Sequence, residues 1–179
     1  MVQTRGARLR VLALDLSTKP GFAVLDAKKL KSGVKLTLVH CSSAKTSTDH
    51  PDAQRYAYLA AKLTAIIHEY GPFDVVTREH FTKGRNKRAT QTIFGVWGTA
   101  DVALGQYGYV IEPANEIPPS EVKKAATGSG TASKEEVEIG VRKWLGLSDD
   151  YVFETDDESD AVAVGLAWLI REGHIEREA

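Results

Sequence analysis

Residues 149–160 carry seven carboxylates, and four of these fall in the last five positions, Asp156-Asp157-Glu158-Ser159-Asp160, immediately ahead of AVAVGLAWLI at 161–170. That second stretch is apolar on nearly every side of a helix, so several neighbours must bury it and its first turn lies at the rim of a core. Asp157 and Asp160 are three apart and share one helix face, and the stripe continues through Ala161, Val164 and Trp168. Capping explains part of this charge. Thr155 with Glu158 fits a capping box, and first-turn acids gain about 0.3–1 kcal/mol each from the helix dipole. Asp156 is expected in solvent. Asp157 and Asp160 are then left as close like charges, each raising the cost of ionising the other. A divalent cation removes that cost, and magnesium or manganese prefers carboxylate and water oxygens.

Two more acids end apolar runs: Asp15 in LRVLALDL at 9–16 and Glu79 in FDVVTRE at 73–79. Both runs read as buried central strands. Neighbouring parallel strands can bring both acids to one sheet edge, where the last helix begins. Four such carboxylates could hold two ions about 3.5–4 Å apart, one polarising a water nucleophile and the other stabilising the departing oxygen of an in-line phosphoryl displacement. With one cysteine, Cys41, and five scattered histidines, no CxxC or HExxH pattern offers a zinc site, so oxygen must hold any metal. The net charge of −1 hides a polarised chain, because KGRNKR at 83–88 has four cations in six residues. A polyanionic partner needs only such a local basic face.

The elements that must position these groups follow from periodicity. With 179 residues, 42% of them apolar, the chain suits one compact domain spanning 1–179. No run approaches the roughly 20 apolar residues of a membrane span, and the N-terminus lacks the core of a secretory signal, which predicts a soluble intracellular protein. Strands over 9–16, 21–26 and 34–40 form an antiparallel meander. A helix over 51–70 stops at Gly71-Pro72, and the strand 73–79 follows. A helix over 88–107 carries Ile93, Phe94 and Trp97. Its interior Gly95 and Gly98, at about 1 kcal/mol each against alanine, point to close packing on another element or subunit. A fifth strand is expected over 109–114, then a short helix from PPSEVKKAA, a flexible TGSGTAS loop, a helix over 134–146 and the final helix ending at Gly173. The order implies an α/β fold with a five-stranded mixed sheet flanked by helices.

In this order the motifs resemble those of the RuvC-type Holliday-junction resolvases, crossover junction endodeoxyribonucleases of the ribonuclease H-like superfamily, from about Val11 to Ile170. Asp15 in LALDLSTKPGFAVLD matches the family's first catalytic aspartate, Glu79 its glutamate, and Asp157 and Asp160 in DESDA its paired aspartates. The most specific link is VKKAATGSGTASK, which is similar to the family's lysine, glycine pair and second lysine, here Lys123 and Lys134. The resemblance implies a ribonuclease H-like fold and four metal ligands, Asp15, Glu79, Asp157 and Asp160, holding two Mg2+ with Mn2+ as a substitute. It places Lys123 and Lys134 near the scissile phosphate as DNA contacts, with Lys134 also catalytic through neutralising transition-state charge. Lys83, Arg85, Lys87 and Arg88 fall in the family's basic loop and would contact phosphates. Phe81 corresponds to the junction-centre aromatic, with a departure: it stands two residues after the glutamate rather than three. Leu16 and Ser17 also replace the family's proline and glycine after the first aspartate. Further implications are a homodimer, packed through the helix bearing Phe94 and Trp97, with two symmetric active sites, branched DNA as partner, no membrane, and a cytoplasmic protein of bacterial or bacteriophage origin.

Other readings compete. Asp15, Ser17, Thr18 and Gly21 also resemble the phosphate hairpin of actin-like ATPases, but those need two lobes and this chain has residues for one. A catalytically silent junction-binding module gains nothing from carboxylates that repel phosphate. A nuclease of the same fold acting on other branched DNA or on RNA hybrids stays open.

Overall fold

The computed structural model describes residues 8–47, 49–81, 86–148 and 150–176. Its elements, in chain order, are β1 (Arg8–Asp15), β2 (Gly21–Leu30), β3 (Gly33–Ser43), α1 (Asp52–Tyr70), β4 (Val75–Glu79), α2 (Lys87–Gly105), β5 (Glu116–Ile117), α3 (Pro119–Thr127), α4 (Lys134–Leu145) and α5 (Asp156–Arg171). They form the expected five-stranded mixed sheet, in the order β3-β2-β1-β4-β5. The first three strands are an antiparallel meander, while β4 lies parallel to β1 and β5 parallel to β4. Among the described residues no helix is long and apolar enough to cross a membrane.

Strand alternation sorts the core into two layers. Val11 and Ala13 of β1, with Ala23 and Leu25 of β2, pack under α3, α4 and α5. Leu12, Leu14, Phe22 and Val24 face the opposite way, against α1 and α2. The α5 layer is close because its residues are small. A Cβ at Gly165 would stand 2.5 Å from Leu25 Cδ1 and 3.1 Å from Ala13 Cβ. Bulk at any of these positions would lift α5 from the sheet.

Two expectations need correcting. The strand predicted over 109–114 does not form there. Pro113 opens a 3-10 turn, Pro113–Asn115, and only Glu116–Ile117 reaches the sheet, beside Arg78 and Glu79. Proline has no amide hydrogen for a ladder, and the chain before it packs instead through Tyr109 and Ile111, which lie against the α1/α2 layer, while Val110 is exposed. The capping box at α5 is also absent. Thr155 makes no side-chain cap, and its Oγ1 is buried without a partner. Glu158 reaches one residue further back, where Oε2 accepts the Glu154 amide at 2.9 Å.

The two glycines of α2 have different surroundings. A Cβ at Gly95 would strike the Tyr56 ring of α1, whereas Gly98 faces open space. On that outer side Phe94 is 59% and Val102 65% exposed.

Candidate active site

Register brings the strand acids together. Leu14 pairs with Arg78, so Asp15 and Glu79, the next residue on each strand, end side by side at one edge of the sheet. Parity directs them too: Asp15 continues the Val11 and Ala13 face, and Glu79 is in step with Val75, so both belong to the layer under α5. The first turn of α5 arrives at the same edge because Gly21, opposite Asp15, leaves room for it. A Cβ on Gly21 would lie 1.8 Å from the Asp157 carbonyl oxygen. The turn between β1 and β2 is held by Ser17, whose Oγ accepts the Lys19 amide at 3.1 Å. This replaces the proline-glycine turn without moving Asp15 from the end of its strand.

All four acids are harder to ionise than ordinary carboxylates. Burial raises Asp15 well above its usual range, and Glu79, Asp160 and Asp157 add to the effect. Burial, then Asp160, pushes Glu79 up to about 7, with Lys123 and Lys134 acting the other way. Burial also raises Asp157 and Asp160 against the pull of Lys134. Lys134, at the start of α4, donates to Asp160 Oδ2 at 3.0 Å and lies 3.7 Å from Asp156 Oδ2. Burial opposes its charge, but Asp160, Asp157 and Asp156 outweigh that and raise its pKa. Lys123, half-buried on α3, acts electrostatically on both Glu79 and Asp160. The structure therefore brings Asp15, Glu79, Asp157, Asp160, Lys123 and Lys134 to one place.

Donor type and charge fit a hard divalent cation: the acids offer oxygen only, and burial, with repulsion from neighbouring carboxylates added to it, raises the proton affinity of each. As placed, however, no three histidine, cysteine or carboxylate groups among the described residues converge tightly enough to hold one ion.

These shifts have a consequence for stability. A carboxylate whose folded pKa exceeds its unfolded value favours the folded state only while protonated, so its contribution fades as pH rises between the two values. For Glu79 that window runs from 4.5 to about 7, and Asp15, Asp157 and Asp160 act in the same direction. In EDTA the melting temperature is expected to fall between about pH 4.5 and about pH 7, with a loss of up to about 3 kcal/mol of stability from Glu79. Glu79→Gln should flatten this slope. A Gln variant that loses as much stability as the parent over that interval would contradict the assignment.

The basic segment is only partly within view. Lys83 and Arg85 lie outside the described residues. Lys87 is exposed at the start of α2. Arg88 is tied to α1 through Asp52 Oδ2 at 2.8 Å. Phe81 leaves the strand end half-buried and packs on α2, its ring centroid 5.0 Å from Phe94 and 6.1 Å from Trp97. A cleft of about 130 Å3 opens beside Asp15 and Glu79, walled by Phe81, Trp97, Ile93 and His80.

Sequence reasoning missed a polar network under this cleft. Arg78, 6% exposed, donates to Glu116 Oε1 at 2.6 Å and Asp101 Oδ1 at 2.8 Å, and its guanidinium lies 3.7 Å from the Trp97 ring centroid. Glu116 Oε2 takes His80 Nδ1 at 2.8 Å. The available signal was parity, since 78 and 80 must face α2 if 79 faces α5.

The model of the family described as crossover junction endodeoxyribonuclease RuvC matches residues 11–168. The RuvC of Chloroflexus aggregans is 32% identical over 159 residues, covering 88% of this chain and 91% of that protein. That of Prochlorococcus marinus is 30% identical over 157 residues, covering 87% and 92%. The structure of Thermus thermophilus RuvC aligns with a TM-score of 0.73 at 26% identity, over 92% of this chain and 97% of that one. A second, described as T. thermophilus RuvC in complex with Holliday junction substrate, agrees in fold with a TM-score of 0.74 at 24% identity, over 93% and 98%.

Proposed function

Because the chain belongs to the RuvC family of crossover junction endodeoxyribonucleases, we propose that it is a structure-selective endonuclease that resolves four-way and related branched DNA junctions by metal-dependent phosphodiester hydrolysis. The observation that carries the reading is the set of four carboxylates on two strand ends and one helix start, buried enough that each resists ionisation beside the others. A surface for gripping DNA without chemistry would not place four such acids beside its phosphate contacts.

Asp15, Glu79, Asp157 and Asp160 are the residues that would hold Mg2+, or Mn2+ in its place. Two such ions would activate the attacking water and stabilise the departing oxygen. The chain's own groups do the rest. Asp15 and Glu79 are fixed by strand pairing, and Asp157 and Asp160 by the close seat of α5 on Gly21. Lys134 holds Asp160 and, with Lys123, supplies positive charge where phosphate charge builds. Lys83, Arg85, Lys87 and Arg88 would bind flanking phosphates, with Phe81 beside the branch point. Homodimerisation would bring two such sites to one junction, and the exposed Phe94 and Val102 on α2 suit the packing face.

The test is direct. The protein is incubated with a synthetic four-way junction and with a linear duplex of the same sequences, in Mg2+ or in EDTA. Cleavage confined to the junction and to Mg2+ is expected. Equal cutting of both substrates would refute junction selectivity, and binding without cutting in any divalent metal would leave a junction-binding module.

A further inference from the structure

The turn between β1 and β2 lies at the same sheet edge as the acids, on the side away from Glu79. The strand order sets β2 on one flank of β1 and β4 on the other, and Gly21 stands opposite Asp15. The turn therefore projects past that edge about one strand spacing, about 4.8 Å, from the Asp15 strand. Hydrogen bonds hold it there. Ser17 Oγ donates to the Lys19 carbonyl at 3.0 Å and accepts the Lys19 amide at 3.1 Å. The Pro20 carbonyl accepts the Ala44 amide at 2.7 Å, and the Thr18 carbonyl accepts from Arg55 of α1 at 3.4 Å. All these bonds use the backbone of the turn, so the fold makes no use of the Lys19 side chain. That side chain is exposed, and its ammonium has no hydrogen bond or ion pair among the described residues. Lys134 and Lys45, by contrast, are engaged by Asp160 and Glu154. The Lys19 charge is still felt at the site: burial raises Asp157, and Lys134 and then Lys19 act against it.

A free ammonium beside these acids suits one kind of partner. It only donates and phosphate oxygens only accept, and a strand whose scissile phosphate sits at the acids must carry its next phosphates past both flanks of the site. On the β4 flank the chain runs on into the cations at the start of α2. On the β2 flank stands Lys19. Resting on the junction-nuclease reading, we propose that Lys19 is a DNA-binding residue whose ammonium holds the phosphate neighbouring the scissile one on the β2 side of the acids. Because the turn is already fixed, no backbone has to be ordered when the contact forms. Lys19 thereby sets how the cut strand lies across Asp15 and Asp157, and it reads no base.

The experiment replaces the phosphates flanking the cleavage position of a four-way junction, one at a time, with uncharged methylphosphonates. It measures single-turnover cleavage in Mg2+, and binding in EDTA over a range of monovalent salt. The parent is compared with Lys19→Ala, Lys19→Arg and Lys29→Ala, the last an exposed lysine at the far end of β2, about 26 Å along the strand from Gly21. For the parent, Lys19→Arg and Lys29→Ala, neutralising one flanking phosphate should slow cleavage roughly 3–10-fold, the range of one net hydrogen bond. Lys19→Ala should be slower by a similar factor on the unmodified junction and lose nothing further at that phosphate. Its binding should fall less steeply with salt, the log–log slope shallower by about 0.9. Since Ser17 binds only the backbone of residue 19, Lys19→Ala should melt with the parent. The proposal is overturned if Lys19→Ala responds to every modified phosphate as the parent does. It is equally overturned if the salt slope is unchanged, which would leave Lys19 as a counter-charge to Asp157, or if the loss varies with the flanking base, which would mark a base contact. A parent that cuts no junction would overturn the junction-nuclease reading itself, and this proposal with it.

Discussion

Asp157→Asn is expected to abolish junction cleavage, by at least about 100-fold in single-turnover rate, while binding to the same junction in EDTA persists. Asparagine keeps the size and hydrogen-bonding shape of the side chain and removes its charge. The backbone of Asp157 also packs against Gly21, and the substitution leaves that contact alone. The loss should therefore appear in the chemical step. Removal of a negative charge beside a polyanion does not weaken binding and can tighten it. A variant that cut at the parent rate would show that Asp157 is no metal ligand, and one that lost binding and cleavage together would point to a folding defect instead.

The second large effect is expected at Gly21. A methyl group there would be placed 1.8 Å from the Asp157 carbonyl oxygen and 3.3 Å from Ala161 Cβ. Neither neighbour can step aside. The first belongs to the backbone of α5, and the second is buried in the layer between α5 and the sheet. Gly21→Ala must push out the helix start that carries Asp157 and Asp160. Overpacking of this kind costs roughly 1–3 kcal/mol or more, and a shift of about 1 Å at a reacting centre costs about 100-fold in rate. The expected result is a protein that still binds junctions, melts at a lower temperature and cuts far more slowly. If Gly21→Ala retained parental activity, the close seat of α5 would not be what aligns its acids.

Much of this was open to inspection in the chain itself. Alternation and helical periodicity located β1, β4 and α5, and the polar residues at the ends of these runs, Asp15, Glu79 and the acids ahead of AVAVGLAWLI, are the ones the fold gathers at one edge of the sheet. Local pattern succeeds there because a buried strand or helix must be apolar along its length, so a carboxylate at its limit stands out. The same logic failed where a partner decides the outcome. VIEPA has strand-like composition, yet strand formation needs hydrogen bonds to a neighbour, and Pro113 directs the chain into a turn before it reaches β4. Thr155 and Glu158 have capping-box spacing, but Glu158 is drawn to the Glu154 amide and buried beside Cys41.

What the sequence determined by itself was the set of acids and the elements that bear them, since residue type and periodicity are local properties. Which groups meet was decided only by the tertiary structure. The β1–β4 register sets Asp15 beside Glu79, the bare Cα of Gly21 admits α5, and Lys134 arrives from another helix to hold Asp160. Strand parity turns Arg78 and His80 away from α5 to share Glu116. Distances between residues far apart in the chain depend on packing that no local pattern encodes, and carboxylates that repel one another stay together only because the surrounding core holds them there.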